Sequence, residues 1–389
     1  MHNGHHSLSC FLPPHLLQNI VENGTQEQRQ HALRNIVSSE AMRLQREIVV
    51  EEGVPPSALE ATGPGLERVV YSADNGGALP GRQVRVEGGP PTGDPAADEA
   101  YDGAGSTYEL FKDIYSYDSI DGHGVRLDST VHYRTGYDNA FWNGRQMVYG
   151  DGDEDLPEAD RLFNRFTVCV DIIGHELTHG VTQFTANLVY QNQPGALNES
   201  MSDVFGSLVK QYQTRQTVNE ADWIIGEGLF TSNVNGVGIR SMKEPGTAYN
   251  DPVLGHDPQP GHMSDYVQTN ADSGGVHINS GIPNRAFYVI AQNIGGYAWE
   301  KAGRIWFAAL QTRFGENTQF TDAAVLTYQV AGELYGQGSL EQQAVLAGWA
   351  EVGISVQNTD TPPNGGDTGQ RPGCAASFAG LLRSILNID

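Results

Sequence analysis

The chain has 389 residues, enough to bury a sizeable core and to fold as two domains with further segments at its ends. Asp plus Glu number 47 against 23 Lys plus Arg, a formal charge of −24. A surface of that sign repels nucleic acid and anionic membranes, and no apolar run approaches the length of a membrane span, so neither is expected as a partner.

Met1 to His6 has neither the basic nor the apolar stretch of a secretory signal. The protein therefore either stays in the cytoplasm or leaves by another route, and export by such a route is expected. His2, His5 and His6 read as solvated tail residues. Residues 7 to about 50 form a separate unit. Within it, Phe11-Leu12-Pro13-Pro14-His15-Leu16-Leu17 holds a Pro pair that favours extended or polyproline backbone. A Gln-, Arg- and Glu-rich helical pattern follows from about 25 to 47, and 51–56 reads as an exposed link.

From 67 to 150 the pattern is β. Val69 to Ser72 is a strand ending at the Asp74-Asn75-Gly76-Gly77 turn, and Gln83 to Val86 is another. Residues 88–105 read as a Gly-, Pro- and Asp-rich loop, 125–133 and 146–149 as strands, and 139–144 as an edge strand or turn. Asp151 to Asp155 reads as a solvated acidic loop, with calcium binding as the alternative. Apolar residues at helical spacing from Phe163 to Phe184 predict a central buried helix. Beyond it, helices are expected over 196–214, 279–295, 300–313, 321–335 and 339–349, with a loop-rich stretch at 215–275. Residues 356–373 read as a linker and 377–382 as a short apolar tail. Cys10, Cys169 and Cys374 are too scattered for a disulfide framework, and Cys169 reads as a buried, inert thiol.

One stretch points to chemistry. In Gly174-His175-Glu176-Leu177-Thr178-His179-Gly180 the two histidines are four apart, hence on one helical face. Both can donate a nitrogen to one Zn²⁺, and Glu176 can reach a metal-bound water as general base. A catalytic zinc needs a third protein ligand. Glu199 and Asp203, four apart in Gly195-Ala196-Leu197-Asn198-Glu199-Ser200-Met201-Ser202-Asp203, supply two carboxylates on one face of the next helix. The nearer can ligate the metal and the other can accept an imidazole N–H.

These motifs, with Asn139 to Gly144 and Asp272 to Gly281, run in the order found in the thermolysin family of zinc metallopeptidases, which the chain resembles from about 67 to 355. The resemblance implies an α+β fold with a β-rich domain over 51–186, a helical domain over 187–355 and the zinc helix between them. It implies an endopeptidase of protein and peptide substrates, acting as a monomer. His175, His179 and Glu199 would be ligands, with Asn198 and Asp203 behind them. Tyr190 and His277 would stabilise the oxyanion, with Asp272 orienting His277. Asn139, the Ala140 carbonyl and Arg240 would hold substrate backbone. Phe163, Phe166, Ile172, Ile225 and Ile239 would line the pocket for the residue after the cut, and an apolar lining predicts bulky hydrophobic residues there. A silent zinc-stabilised binding module is the alternative, against which Glu176 counts: a structural zinc has no use for a base.

Two departures stand out. Asp171, Asp222 and Glu227 match the family's calcium site, but Lys210 and Ile224 occupy two other positions, so one calcium at most is expected. The front end is short, and Leu12 to Leu17 resembles the Pro-Pro motif of protealysin-like precursors. It implies an autoinhibitory prosegment, residues 1–50, whose Pro-rich strand fills the cleft until self-cleavage between about 38 and 66. Cys10 reads as a plain thiol, with a latency ligand to zinc as the alternative.

Overall fold

The structure, a computed structural model, describes residues 9–51 and 65–356. The His-rich start, the linker and tail after 356, Cys374 and much of the expected cleavage window lie outside the described residues.

A six-stranded sheet spans the N-terminal half, in the order β1-β5-β6-β4-β2-β3. Its strands are β1 (Ser9–Cys10), β2 (Arg68–Ser72), β3 (Arg82–Val86), β4 (Leu127–Val131), β5 (Ala140–Trp142) and β6 (Met147–Tyr149). The turn after β2 is where the sequence places it: Asp74 and Asn75 take φ of 48° and 61°, a region their short polar side chains tolerate. The edge strand β1 comes from the N-terminal unit and pairs antiparallel with β5, Cys10 opposite Phe141.

Residues 88–105 are not all loop. Asp94 caps α3 (Pro95–Glu109), its side chain accepting the Ala96 N–H, with Pro95 in the first turn. The Pro and Asp that suggested a loop instead start the helix, and Ala96, Ala97, Ala100, Gly103 and Ala104 lie on its buried face. A Cβ on Gly103 would stand 2.4 Å from Ile173 Cδ1, so glycine is what lets α3 lie against the central helix.

The central helix is also shorter than its apolar pattern. Arg165 and Cys169 have extended ψ values of 143° and 107°, so 166–168 is a separate 3₁₀ turn and α4 spans Val170–Phe184. Asp171 to Thr182 is buried without a break. α4 packs against α5 (Asn192–Thr214). Gly206 on α5 makes their approach close: a Cβ there would sit 2.4 Å from the Asp171 carbonyl oxygen and 3.0 Å from the His175 nitrogen. That approach brings the His175–His179 face to the Glu199–Asp203 face.

A two-stranded pair, β7 (Ile224–Ile225) and β8 (Arg240–Ser241), sets Ile225 opposite Arg240. The C-terminal half is helical: α6 (Asp272–Asn279), α7 (Gly281–Ile294), α8 (Ala302–Thr312), α9 (Phe320–Tyr335) and α10 (Leu340–Glu351). In the N-terminal unit, α1 (Pro14–Asn23) and α2 (Gln26–Glu51) follow β1. No helix among the described residues is long and apolar enough to cross a membrane.

Candidate active site

Where α4 and α5 meet, three donors converge. His175 Nε2 and His179 Nε2 are 3.1 Å apart. Glu199 Oε1 lies 3.4 Å from His179 Nε2, and its Oε2 lies 3.6 Å from His175 Nε2. Ligands of a tetrahedral zinc at about 2.0–2.1 Å stand roughly 3.3 Å from one another, so the set fits that ion.

The far side of each ring fixes its tautomer. His175 Nδ1 donates to Asp203 Oδ1 at 2.8 Å, and His179 Nδ1 donates to Asn198 Oδ1 at 2.8 Å. Both Nε2 lone pairs therefore aim inward. Burial lowers the His179 imidazole to about 3 against the pull of Glu199, which keeps it neutral. Two facing lone pairs repel, and the buried Glu199 Oε2 has no hydrogen-bond partner. A cation answers both demands.

Glu176 is buried beside them, its Oε2 accepting the Trp142 N–H at 2.8 Å. Tyr190 donates its O–H to Glu199 Oε1 and stands 3.2 Å from His277 Nε2. His277 is held from behind by Asp272, through its Nδ1 at 2.6 Å and its backbone N–H at 2.9 Å. The turn that allows this has four successive residues, Asp272 to Gly275, at φ of 52°, 50°, 87° and 76°. Burial would lower the His277 imidazole, but the Asp272 and Glu199 carboxylates hold it at about 9.

Residues 9–12 run through this cleft. The Phe11 N–H donates to the Ala140 carbonyl at 3.0 Å, and the Leu12 N–H to Asn139 Oδ1 at 2.8 Å. His277 Nε2 donates to the Cys10 carbonyl at 2.9 Å, and Arg240 Nη1 to the Phe11 carbonyl at 3.3 Å. The Phe11 ring meets His175 edge-on at 5.3 Å and Phe166 at 6.4 Å, with the Arg240 guanidinium 4.7 Å from its centroid. Phe163, Ile172, Ile225 and Ile239 belong to the same buried cluster. Gly226, at φ 76°, leaves room: a Cβ there would lie 3.3 Å from Ile239 and 3.5 Å from Phe11. Pro13 precedes α1 and Pro14 opens it, so they end the strand. Cys10 presents its carbonyl to the cleft while its side chain packs with Tyr133, Tyr137, Phe141 and Val148.

Comparison with known proteins decides the family. Residues 82–183 match the thermolysin metallopeptidase catalytic domain and 186–354 its alpha-helical domain. The chain belongs to the thermolysin family of metallopeptidases. Protease PrtS of Photorhabdus sp. (strain Az29) is 44% identical over 353 residues, covering 90% of this chain and 93% of that protein. The extracellular metalloprotease of Pectobacterium carotovorum subsp. carotovorum is 46% identical over 351 residues, covering 90% and 97%. The precursor of protealysin from Serratia proteamaculans superposes with a TM-score of 0.80 at 46% identity, covering 89% of this chain and 100% of that one. The fold is the thermolysin-like two-domain one, and the protein is a zinc metalloendopeptidase made with a prosegment.

Against that family pattern, the pocket expected to hold calcium is filled by a side chain. Lys210 Nζ lies 2.9 Å from Asp222 Oδ2, 2.9 Å from the Ile224 carbonyl, 3.3 Å from Asp171 Oδ2 and 3.7 Å from Glu227 Oε2. Nor is the acidic stretch 151–155 solvated throughout: Asp153 is buried, its Oδ2 accepting the N–H groups of Leu162 and Phe163 at 2.8 and 3.0 Å.

Some site residues escaped the sequence reading. Ser202 Oγ lies 3.1 Å from His179 Nδ1, and its place three after Glu199 on one helix face could have revealed it. Asn284 donates to Asp203 Oδ2 at 2.8 Å, and Gln259 to the His277 carbonyl at 2.7 Å. Both come from distant segments with no local signal.

Proposed function

We propose that the enzyme cuts peptide bonds on the amino side of bulky apolar residues, and that residues 1–50 block the cleft as a mimic of its substrate. His175, His179 and Glu199 would hold the zinc, with Asp203 and Asn198 fixing the two imidazoles. Bound zinc supplies Lewis acidity and lowers the pKa of water at the site. Glu176 takes the proton of the attacking water and passes it toward the leaving amine. His277 Nε2–H and Tyr190 O–H donate to the carbonyl oxygen as it gains charge, and Asp272 keeps His277 charged and aimed. Arg240, locked by Asp203 on its other edge, holds the next carbonyl, while Asn139 and the Ala140 carbonyl take the backbone N–H groups.

The observation that supports this reading is the set of hydrogen bonds on residues 10–12. Each falls on a residue assigned to substrate, with the Cys10 carbonyl at His277 and the Phe11 side chain against Phe166. Inhibition follows from anchoring. Leu16, Leu17 and Ile20 of α1 are buried, and Asn19 donates to the Leu254 carbonyl at 2.7 Å, so the strand is held at high effective concentration. Lys210 is proposed to replace calcium with its own ammonium. The Pectobacterium relative is named extracellular, and this chain is read as exported too.

The test is a digest of casein with and without a zinc chelator, read by mass spectrometry. Cuts should fall before Phe, Leu and Ile and stop with the chelator. Cuts scattered before charged residues would overturn the pocket assignment. Folded enzyme freed of residues 1–50 should gain activity; no gain would remove the prosegment's inhibitory role.

A further inference from the structure

Away from the cleft, α2 of the prosegment presses a histidine onto buried acids of the catalytic region. His31, Asp138 and Asp153 are 5%, 2% and 2% exposed, and each offers a donor atom within 4.8 Å of the others. His31 Nδ1 lies 3.6 Å from Asp153 Oδ1, while its Nε2 faces Asp155 Oδ2 at 3.4 Å. Neither His31 Nδ1 nor Asp138 Oδ1 has a hydrogen-bond partner.

The other oxygen of each carboxylate is already committed. Asp138 Oδ2 accepts the Asn35 side-chain N–H at 2.8 Å, and the Asp138 backbone N–H donates to Asn35 Oδ1 at 3.1 Å. Asp153 Oδ2 caps Leu162 and Phe163. Each acid is thus oriented by its Oδ2, which leaves Asp138 Oδ1 without a partner and turns Asp153 Oδ1 toward His31 Nδ1. Asp155, facing the opposite ring nitrogen of His31, stands where a carboxylate steadies a metal-ligating imidazole.

Charge balance points the same way. Burial, with Asp153 and Asp155 adding to it, pushes the Asp138 carboxyl well above the usual carboxylate range, and Arg34 is the cation that opposes them. Two buried acids and a half-satisfied imidazole need a proton or a cation among them. One imidazole with two monodentate carboxylates is a donor set for zinc or manganese rather than calcium. Monodentate ligands of one such ion stand roughly 3–4 Å apart, so a small side-chain rotation closes this set.

We propose that His31, Asp138 and Asp153 form a second zinc site that staples α2 of the prosegment to the catalytic region. Because His31 departs with the prosegment, the site exists in the precursor alone. That last consequence rests on residues 1–50 being removed; the ion count below does not.

The experiment uses the full-length Glu176→Gln precursor, which should not process itself. It is incubated with excess zinc, passed through gel filtration, and its metal content measured by mass spectrometry. Two zinc ions per chain are expected, falling to one in His31→Gln and one in Asp138→Asn, each made in the same background. The remaining ion reports that the enzyme region has folded. A single ion in the parent precursor overturns the proposal, as does a count of two that survives both substitutions, which would place the second ion elsewhere, for instance on His2, His5 and His6. A latent precursor with one ion would sink the staple and leave the inhibitory reading standing.

Discussion

The helix pair α4–α5 carries two buried charge clusters one helical turn apart, and they solve the same problem in opposite ways. At His175, His179 and Glu199, two imidazole Nε2 atoms and a carboxylate point inward and call for a cation from outside. At Asp171, four residues before His175, the carboxylate meets Lys210 Nζ at 3.3 Å, and the cation is part of the chain. Burial raises the Asp171 carboxyl and Lys210 draws it back; burial likewise opposes the Lys210 ammonium, yet its acidic neighbours raise it well above its ordinary value. On the proposal that Lys210 stands in for calcium, a family pattern of carboxylates marks a metal site only while no side chain supplies the charge.

The largest effect separates chemistry from metal binding at the first cluster. Glu176→Gln should cut casein hydrolysis by about 10³-fold or more while zinc content and melting temperature stay put. Surviving turnover would show the proton acceptor to be another group. At the second cluster, Lys210→Ala leaves Asp171 buried without its partner and should cost about 3–5 kcal/mol in urea unfolding. Millimolar calcium should restore part of that loss in the variant and do little for the parent. Equal calcium responses in the two proteins would break the contrast.

A smaller change tests how the first cluster is held. Asp203 ties His175 to Arg240, whose Nε and Nη2 reach it at 2.8 Å each, and to Asn284. Burial would raise the Asp203 carboxyl, but Arg240 and His175 hold it well below the usual carboxylate range. Asp203→Asn should weaken zinc binding by about 10–100-fold in a competition titration against a chelator. Unchanged affinity would mean that the carboxylate serves Arg240 alone.

What the sequence made legible was local. The His175–His179 and Glu199–Asp203 spacings each sit within one helix, and helical periodicity alone puts each pair on one face. The Lys210 substitution was equally visible, because one residue type decided it. Three things were hidden. α3 was masked by its Gly, Pro and Asp content, which reads as loop although Asp94 and Pro95 cap and open the helix and Gly103 fits it against Ile173. The start of α4 was masked because Phe163 and Phe166 are core residues on a non-helical stretch with the same apolar look. The pairing of Cys10 with Phe141 and the approach of His31 to Asp153 join segments more than a hundred residues apart. Nothing in either segment alone announces the other.

The same ingredients at a half-exposed position should do least, and that gives the comparison its lower end. His132 bridges Asp151 Oδ2 at 2.8 Å and Asp94 Oδ2 at 2.7 Å, so it ties the cap of α3 to the acidic loop. The hydrogen bond to Asp151, supported by Asp94 against partial burial, raises its imidazole from 6.5 to about 9. A folded-state value above the unfolded one means that the bridge contributes fully below pH 6.5 and fades as pH rises through about 9. Solvent screening limits the contribution to under about 1 kcal/mol. The parent should therefore melt about 1–2 °C above His132→Gln at pH 6, and the two should coincide by about pH 10. A gap that persists at the alkaline end would assign the stability to packing of the ring and not to its charge, and burial would no longer be what ranks these three clusters.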